Sequence, residues 1–368
     1  MKLVSVIIPA RNEEKIIGKA VRSMLAQNYP RKEIIVMDNA STDSTAEIAK
    51  KYKVRVIRNE KNIGYVSSVN KGIRLSNGDY TILLHADHFA KDKNWINKII
   101  EPFSDKSVAA VVSQRMNKNR NKMNFAEKLF DSLSPIDRNR SGKPQEVSTL
   151  RGKADAYRKS TIKSLGYFDE ESYPHGGDDI DMSIRLHKAG YKILLSDKAM
   201  VEHVFSSSQN SLLAIFRKCF QMGRAGTNIY RKYKIDALRR RMQLVSMSAL
   251  LFIPFMLTII GLVLYSMLFF LGIFSKITIF NKKIPVSLVS VIFISVVYIY
   301  TNNIFSISAG TFIAYLSILS YFGIHSVKNA IAEGDSMIYS PFVFIFSIIC
   351  RFLFGLGYLM ECLMPAKK

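Results

Sequence analysis

The amino-terminal part of the chain switches repeatedly between two apolar patterns. Residues 3–8 form a short apolar run ended by Pro9, which predicts a buried strand. Ile16, Ile17, Ala20, Val21, Met24 and Leu25 then recur at helical spacing until Asn28-Tyr29-Pro30 stops the helix. Residues 33–37 and 54–57 predict a second and a third strand. Between them Ser41-Thr42-Asp43-Ser44-Thr45 offers several N-caps for a helix through Lys50. A helix over 66–75 ends at Asn77-Gly78, and residues 80–84 predict a fourth strand. Strands separated by helices imply a parallel sheet with helices on both faces, a Rossmann-like α/β layout. Ligands bind such sheets at the carboxyl ends of the strands, where Arg11, Asn12, Asp38 and Asp87 fall.

The pattern changes twice further on. Residues 117–145 are polar and basic with few periodic cues, an irregular excursion with a short helix near 125–133. It reads equally as a solvated loop or as an acceptor-side lid. After Arg241 the apolar runs 246–274, 284–300, 304–324 and 341–360 replace the mixed pattern, and several reach the roughly 20 residues that span a bilayer. The expectation is a head over 1–241 and an all-α transmembrane region over 242–368 with three or four apolar helices. Residues 284–300 are short for a span, and Arg351 interrupts the last run, which would also suit an interfacial helix. Arg231, Lys232, Lys234, Arg239, Arg240 and Arg241 precede the first run and place the head on the cytoplasmic side of the cell membrane by the positive-inside rule. Lys276, Lys282 and Lys283 after that run cut against a simple alternation.

Charge and cysteine usage narrow the partner classes. The 368-residue chain carries a formal net charge of +23, of which the tail after Arg241, with seven Lys/Arg against three Asp/Glu, holds only +4. A head that basic seeks phosphate: anionic lipid, phosphorylated substrate or nucleic acid. No zinc-finger or RNP-type signature is present. Membrane lipids are therefore the expected anionic surface, and nucleic acid is not a partner. Cys219, Cys350 and Cys362 are scattered without a CxxC pair, which argues against a disulfide framework or structural zinc and for reduced surroundings. The apolar run in MKLVSVIIPARNEE is too short for a signal peptide.

The polar residues after each strand carry the candidate chemistry. Backbone N–H groups of the turn Pro9-Ala10-Arg11-Asn12-Glu13, with Arg11 beside them, suit a base edge or a phosphate. Asp38 closes the second strand, where it either accepts hydrogen bonds from a base or ribose or caps the following turn. His85-Ala86-Asp87-His88 sets a carboxylate between imidazoles just past a strand, a donor set for a divalent metal; a capping aspartate is the alternative. Gly176-Gly177 precedes Asp178, Asp179 and Asp181 at the start of a helix that Gly190 ends. The helix dipole favours acids there, but crowded carboxylates also raise one another's pKa, and one of them is then suited to take a proton from a hydroxyl.

Taken in order, these segments resemble family 2 of the inverting glycosyltransferases, which have the GT-A fold, over roughly residues 3–230. VSVIIPARNEE looks like the family's opening strand, and EIIVMDNASTDST is similar to its nucleotide-binding element. NIGYVSSVNKGIRLSNGDYTILLHAD resembles the approach to the Asp-x-Asp motif. RGKADAYRKSTIKSLGYFDEE looks like the donor-sugar loop and the segment after it, and GGDDIDMSIRLHKAGYKI is similar to the family's base-bearing helix. The tail and FRKCFQMGR look like the membrane-anchored subgroup that builds exopolysaccharides and lipid-linked glycans.

The resemblance implies roles residue by residue. Pro9, Arg11 and Glu13 match the donor pocket's first loop, Asp38 the contact to the base, and Gly152 the donor-sugar loop. Asp87 matches the second acid of Asp-x-Asp, which with Mg2+ or Mn2+ holds the diphosphate; His203 joins the metal or the diphosphate. Asp179 matches the general base, Asp178 stands where the family usually has Glu, and Arg224 matches an arginine near the diphosphate. His85 departs from the pattern by taking the first Asp-x-Asp position, where an aspartate usually touches ribose or metal, and is counted with the donor-binding residues. Gln221-Met222-Gly223-Arg224-Ala225 lacks the Trp of processive members, which argues against processive polymerisation. The implied activity is transfer from a nucleotide-sugar donor to a hydroxyl of a lipid-linked or glycan acceptor. The alternatives are a polyprenyl-phosphate monosaccharide synthase, disfavoured by the intact acid cluster, and a non-catalytic membrane protein that binds or translocates glycans.

Overall fold

The computed structural model describes residues 1–117, 123–133, 139, 141–150, 154–173, 176–205 and 211–234, with short pieces at 276–279, 282–285, 349–350 and 353–354. The chain runs β1 (Val4–Ala10), α1 (Ile17–Leu25), β2 (Lys32–Asp38), α2 (Thr45–Lys50), β3 (Arg55–Arg58), α3 (Tyr65–Leu75), β4 (Tyr80–Leu84), β5 (His88–Ala90) and α4 (Trp95–Ile100). It continues through β6 (Val108–Asn117), α5 (Phe125–Leu133), β7 (Gln145–Glu146), β8 (Ala154–Arg158), α6 (Lys159–Ser164), α7 (Asp178–Lys188), β9 (Lys192–His203) and α8 (Leu212–Tyr233). A separate antiparallel pair joins β10 (Lys276–Ile279) to β11 (Lys282–Pro285).

The main sheet has the order β3-β2-β1-β4-β8-β6-β9-β5, with β7 added on β9. Side chains of β1 alternate between its faces: Val4, Val6 and Ile8 pack with α1 and α4, while Ile7 packs with α3, α6 and α7. Both faces are covered, which is why β1 reads as an apolar run broken only by the buried Ser5. Gly72 lets α3 lie close on its face. A Cβ there would stand 2.7 Å from Ile7 Cγ2 and 3.0 Å from Met37 Cγ.

The expected all-parallel sheet is corrected. β3, β2, β1 and β4 are parallel, but β8 runs antiparallel to both β4 and β6, and β5 runs antiparallel to β9. The connection from β6 through α5 and β7 returns the chain as β8 antiparallel to β6. β1 also runs past its expected stop and includes Pro9. Its pairing with β4 ends at Ile7↔Leu83, so the missing N–H of Pro9 removes no bond on that side. The excursion does carry its helix, α5, over Phe125–Leu133.

Among the described residues no helix is long and apolar enough to cross a membrane. The boundary at Arg241 and the runs 246–274 and 304–324 lie outside the described residues, as do 284–300 and 341–360 apart from the short pieces named above.

Candidate functional site

The carboxyl ends of β1 and β2 are clasped together by side chains. Asn12 and Ala40 both take left-handed backbone conformations, with φ of 57° and 56°. The N–H groups of Asn12, Glu13 and Glu14 donate to Ser41 Oγ (3.0 Å), Thr45 Oγ1 (2.8 Å) and Asp43 Oδ2 (3.2 Å). In return Asn12 Oδ1 accepts from the Thr42 N–H at 2.9 Å. Two expectations change as a result. The turn's N–H groups are engaged by protein rather than open to a ligand, and α2 starts only at Thr45, with no side-chain cap from Ser44. The hydroxyls of Ser41 and Thr45 serve the neighbouring loop, while Asp43 Oδ1 accepts from the Thr45 N–H at the start of α2 (3.0 Å).

Asp38 is fully buried. Its Oδ1 accepts from Ser41 Oγ and N–H, and Arg58 Nε stands 3.2 Å from Oδ2, so the turn-organising contact is present. Pro9 is buried in β1, Arg11 is exposed, and Glu13 is half-buried. Burial, reinforced by Asp87 and Asp43, pushes the Glu13 carboxyl up to about 7. The first loop therefore lies within electrostatic reach of the loop after β4.

At that loop Asp87, His88 and His203 come together, all buried, with one donor atom from each inside 4.8 Å of the others. His88 Nδ1 lies 2.6 Å from Asp87 Oδ1, and His203 Nε2 lies 3.6 Å from Oδ2. His88 and His203 face each other across the antiparallel β5–β9 ladder, their rings stacked at 4.5 Å. Burial would raise the Asp87 pKa, but the surrounding imidazoles outweigh it and hold the carboxyl well below its usual range. Two imidazoles and a carboxylate sharing protons over these distances are a donor set that a divalent cation fits by displacing those protons. Sequence reasoning named Asp87 and His203. It also placed His88 beside Asp87 in the donor set, and the structure brings His88 together with both.

The acids of α7 approach the same place. Gly177, at φ 96°, is the entry to the helix; a Cβ there would meet Tyr173 Cδ1 at 3.2 Å and Ala225 Cβ at 3.3 Å. Burial, then the neighbouring Asp179 charge, pushes Asp178 up to about 7. Asp179 Oδ1 accepts from the Ile180 N–H at 2.9 Å. Asp181 has a different part. It is fully buried and accepts from Arg185 Nε (2.8 Å), Lys232 Nζ (2.7 Å) and Tyr233 Oη (2.6 Å), tying α8 to α7.

Tyr65, the first residue of α3, links the two groups of acids. Its hydroxyl lies 2.7 Å from His85 Nε2. Burial, then Asp178, Asp155, Asp179 and Asp87, raise its pKa well above the usual phenol value. Those four carboxylates thus all lie within electrostatic reach of one side chain. Asp155 is buried on β8 opposite Leu83 of β4, with Tyr157 Oη 3.4 Å from its Oδ2. Neither Tyr65 nor Asp155 was singled out from sequence; an acid inside the apolar strand ADAYR was the available signal. Arg224 sits half-buried on α8, and Gly152 lies outside the described residues.

A cleft of about 310 Å³ at the opposite, amino end of β1 and β4 is lined by Lys2, Asp79, Arg158 and Lys163 among others. Lys2 is paired with Asp79, and Arg158 is spent on the carbonyls of Phe103, Asp105 and Val108. The chemistry-bearing groups are all at the other end.

Residues 5–166 match the family model described as Glycosyl transferase family 2. A poly-β-1,6-N-acetyl-D-glucosamine synthase of Staphylococcus epidermidis is 26% identical over 205 residues, 54% of this chain and 48% of that protein. The protein of the same name from Staphylococcus aureus strain COL is 28% identical over 206 residues, with the same shares covered. The chain thus spans about half the length of the curated relatives it matches. Among solved structures, a mannosyltransferase from Pyrobaculum calidifontis in complex with GDP-Man and Mn2+ has a similar fold: TM-score 0.50, 17% identity, 62% of this chain and 64% of that one covered. The fold is thus of the expected GT-A-like α/β type, built on a mixed sheet.

Proposed function

We propose that this chain is an inverting glycosyltransferase that moves a sugar from a nucleotide-sugar donor to a hydroxyl of a membrane-associated glycan or lipid-linked acceptor. One observation carries the reading. In a family 2 domain, the Asp87–His88–His203 cluster and the Asp178–Asp179 pair converge on Tyr65 at the carboxyl edge of the sheet. The loop of Pro9, Arg11 and Glu13, with Asp38 and His85, would form the nucleotide side of the donor pocket. Gly152 and Arg224 would complete it on the sugar and diphosphate sides. Asp179 would accept the acceptor hydroxyl's proton as that oxygen attacks the anomeric carbon, and the nucleoside diphosphate departs from the opposite face. Asp178, held near neutrality by burial and by Asp179, is the alternative base. Asp87, His88 and His203 would hold Mg2+ or Mn2+, which when bound supplies positive charge against the diphosphate. The names of the staphylococcal relatives support polysaccharide synthesis as the setting. The apolar runs after Arg241 would keep the head at the cytoplasmic face of the cell membrane, beside such acceptors.

Thermal melts of the full-length chain with a panel of UDP- and GDP-sugars, with Mn2+ or with EDTA, test the reading. A donor at a hundred times its Kd should stabilise the protein by about 2.7 kcal/mol. The shift should require the metal and vanish in Asp87→Asn. A panel in which no nucleotide sugar shifts the melt contradicts the proposal.

A further inference from the structure

The fold fixes the carboxylate and both imidazoles of the Asp87 cluster from two directions. Asp87 and His88 stand at the turn into β5, where the His88 N–H donates to the His85 carbonyl at 3.0 Å. His203 ends β9 directly opposite His88, and the Val204 N–H donates to the Asp87 carbonyl at 3.0 Å. The two rings stack at 4.5 Å, and Phe205 stands across the His203 ring with centroids 4.6 Å apart. Asp87, His88 and His203 are 5%, 2% and 4% exposed, so the site leaves little room for solvent.

The neighbouring imidazole is engaged elsewhere. His85 lies 5.9 Å from His88 between ring centroids, but its Nε2 is 2.7 Å from the Tyr65 hydroxyl. Among the described residues the cluster therefore offers two ring nitrogens and a single carboxylate.

That donor set decides which ions it suits. Mg2+ prefers oxygen, keeps several of its waters and tolerates little departure from an octahedron. Imidazole suits the later first-row ions, and affinity for such a site rises from Mn2+ to Co2+, with Zn2+ also above Mn2+. A buried site with two nitrogens to one carboxylate gives Mg2+ one good ligand and little space for its water shell. The same site meets the preference of an ion that exchanges water for nitrogen.

We propose that Asp87, His88 and His203 form a nitrogen-rich cation site that selects against Mg2+, binding Co2+ and Zn2+ more tightly than Mn2+ and Mn2+ more tightly than Mg2+. His88 is then a metal ligand as well as a neighbour of the Asp87 carboxylate. This rests on the proposed glycosyltransferase reading for what the cation does there, and narrows its choice between Mg2+ and Mn2+. The selectivity itself belongs to the three side chains.

Calorimetric titration of the full-length chain with each of the four ions, without nucleotide, tests the order. Asp87→Ala supplies the background from adventitious sites. Mn2+ should bind about tenfold or more tightly than Mg2+, and Co2+ and Zn2+ more tightly again. Electron spin-echo modulation of bound Mn2+ counts the nitrogens: two imidazoles in the parent, one in His88→Asn. The parent count needs no variant, so a His88→Asn protein that melts early leaves the test intact. Equal affinity for Mg2+ and Mn2+, a single imidazole on Mn2+ in the parent, or no binding of any of the four ions overturns the inference. Each of these leaves the glycosyltransferase reading to be decided separately by the melts with nucleotide sugars.

Discussion

The hydroxyl of Tyr65 lies 2.7 Å from Nε2 of His85, joining the first residue of α3 to the residue after β4. α3 is set in place by a buried amide network. Asn39 Oδ1 accepts from Asn59 Nδ2 and the Ile63 N–H, and Asn39 Nδ2 donates to Asn62 Oδ1, fixing the loop that delivers Tyr65. Tyr65 thereby orients His85. Tyr65→Phe keeps the ring and removes one hydrogen bond, worth about 1 kcal/mol. The expected result is a donor KM raised about fivefold, with kcat changed less and the melting temperature nearly unchanged. Steady-state kinetics separate this from a packing role, which would lower stability and leave KM alone.

Asp181 is expected to govern stability rather than turnover. In the sequence it is one of three acids at a helix start. In the fold it is a buried acceptor for Arg185, Lys232 and Tyr233 together. Asp181→Asn removes the counter-charge of Arg185 and one of the two that hold Lys232, both cations being partly exposed, a loss of about 1–3 kcal/mol. Denaturant unfolding measures it, and a variant as stable as the parent contradicts the account.

Asp178 makes a pH prediction of definite sign. Its folded carboxyl is pushed up to about 7 from an ordinary 3.8. Between those values the folded state holds a proton that the unfolded state has released. This group's contribution is therefore most favourable at low pH and is lost as pH rises towards 7. Asp178→Asn removes that penalty, so the variant should gain on the parent steadily from about pH 4 to 7. Parallel stability curves over that window would show that the Asp178 pKa is not raised.

The first half of the sheet was legible because each element there carries a clean period and a punctuating Pro, Gly or Asn. β4 came out with its observed limits, Tyr80–Leu84. The second half was not. β6, β8 and β9 are separated by an excursion with no regular period, and nothing local shows that β8 pairs antiparallel between β4 and β6. The candidate site divides in the same way. Asp38, Asp87 and Asp179 stand at strand ends and a helix start, where position alone draws attention. The pairing of His88 with His203 depends on a ladder between distant segments. Tyr65 and Asp155 sit in amphipathic or apolar runs, where only the packed fold reveals what they face.

The central claim is tested most directly by nucleoside diphosphate release from UDP- and GDP-sugars, with membranes supplying the acceptor, in the parent, Asp179→Asn and Asp178→Asn. General-base catalysis is worth about 10²–10⁴-fold. The account predicts release by the parent, a loss of that size in Asp179→Asn with donor affinity retained, and a smaller loss in Asp178→Asn. A parent that releases no nucleoside diphosphate from any donor, or an Asp179→Asn variant that turns over at the parental rate, would contradict it.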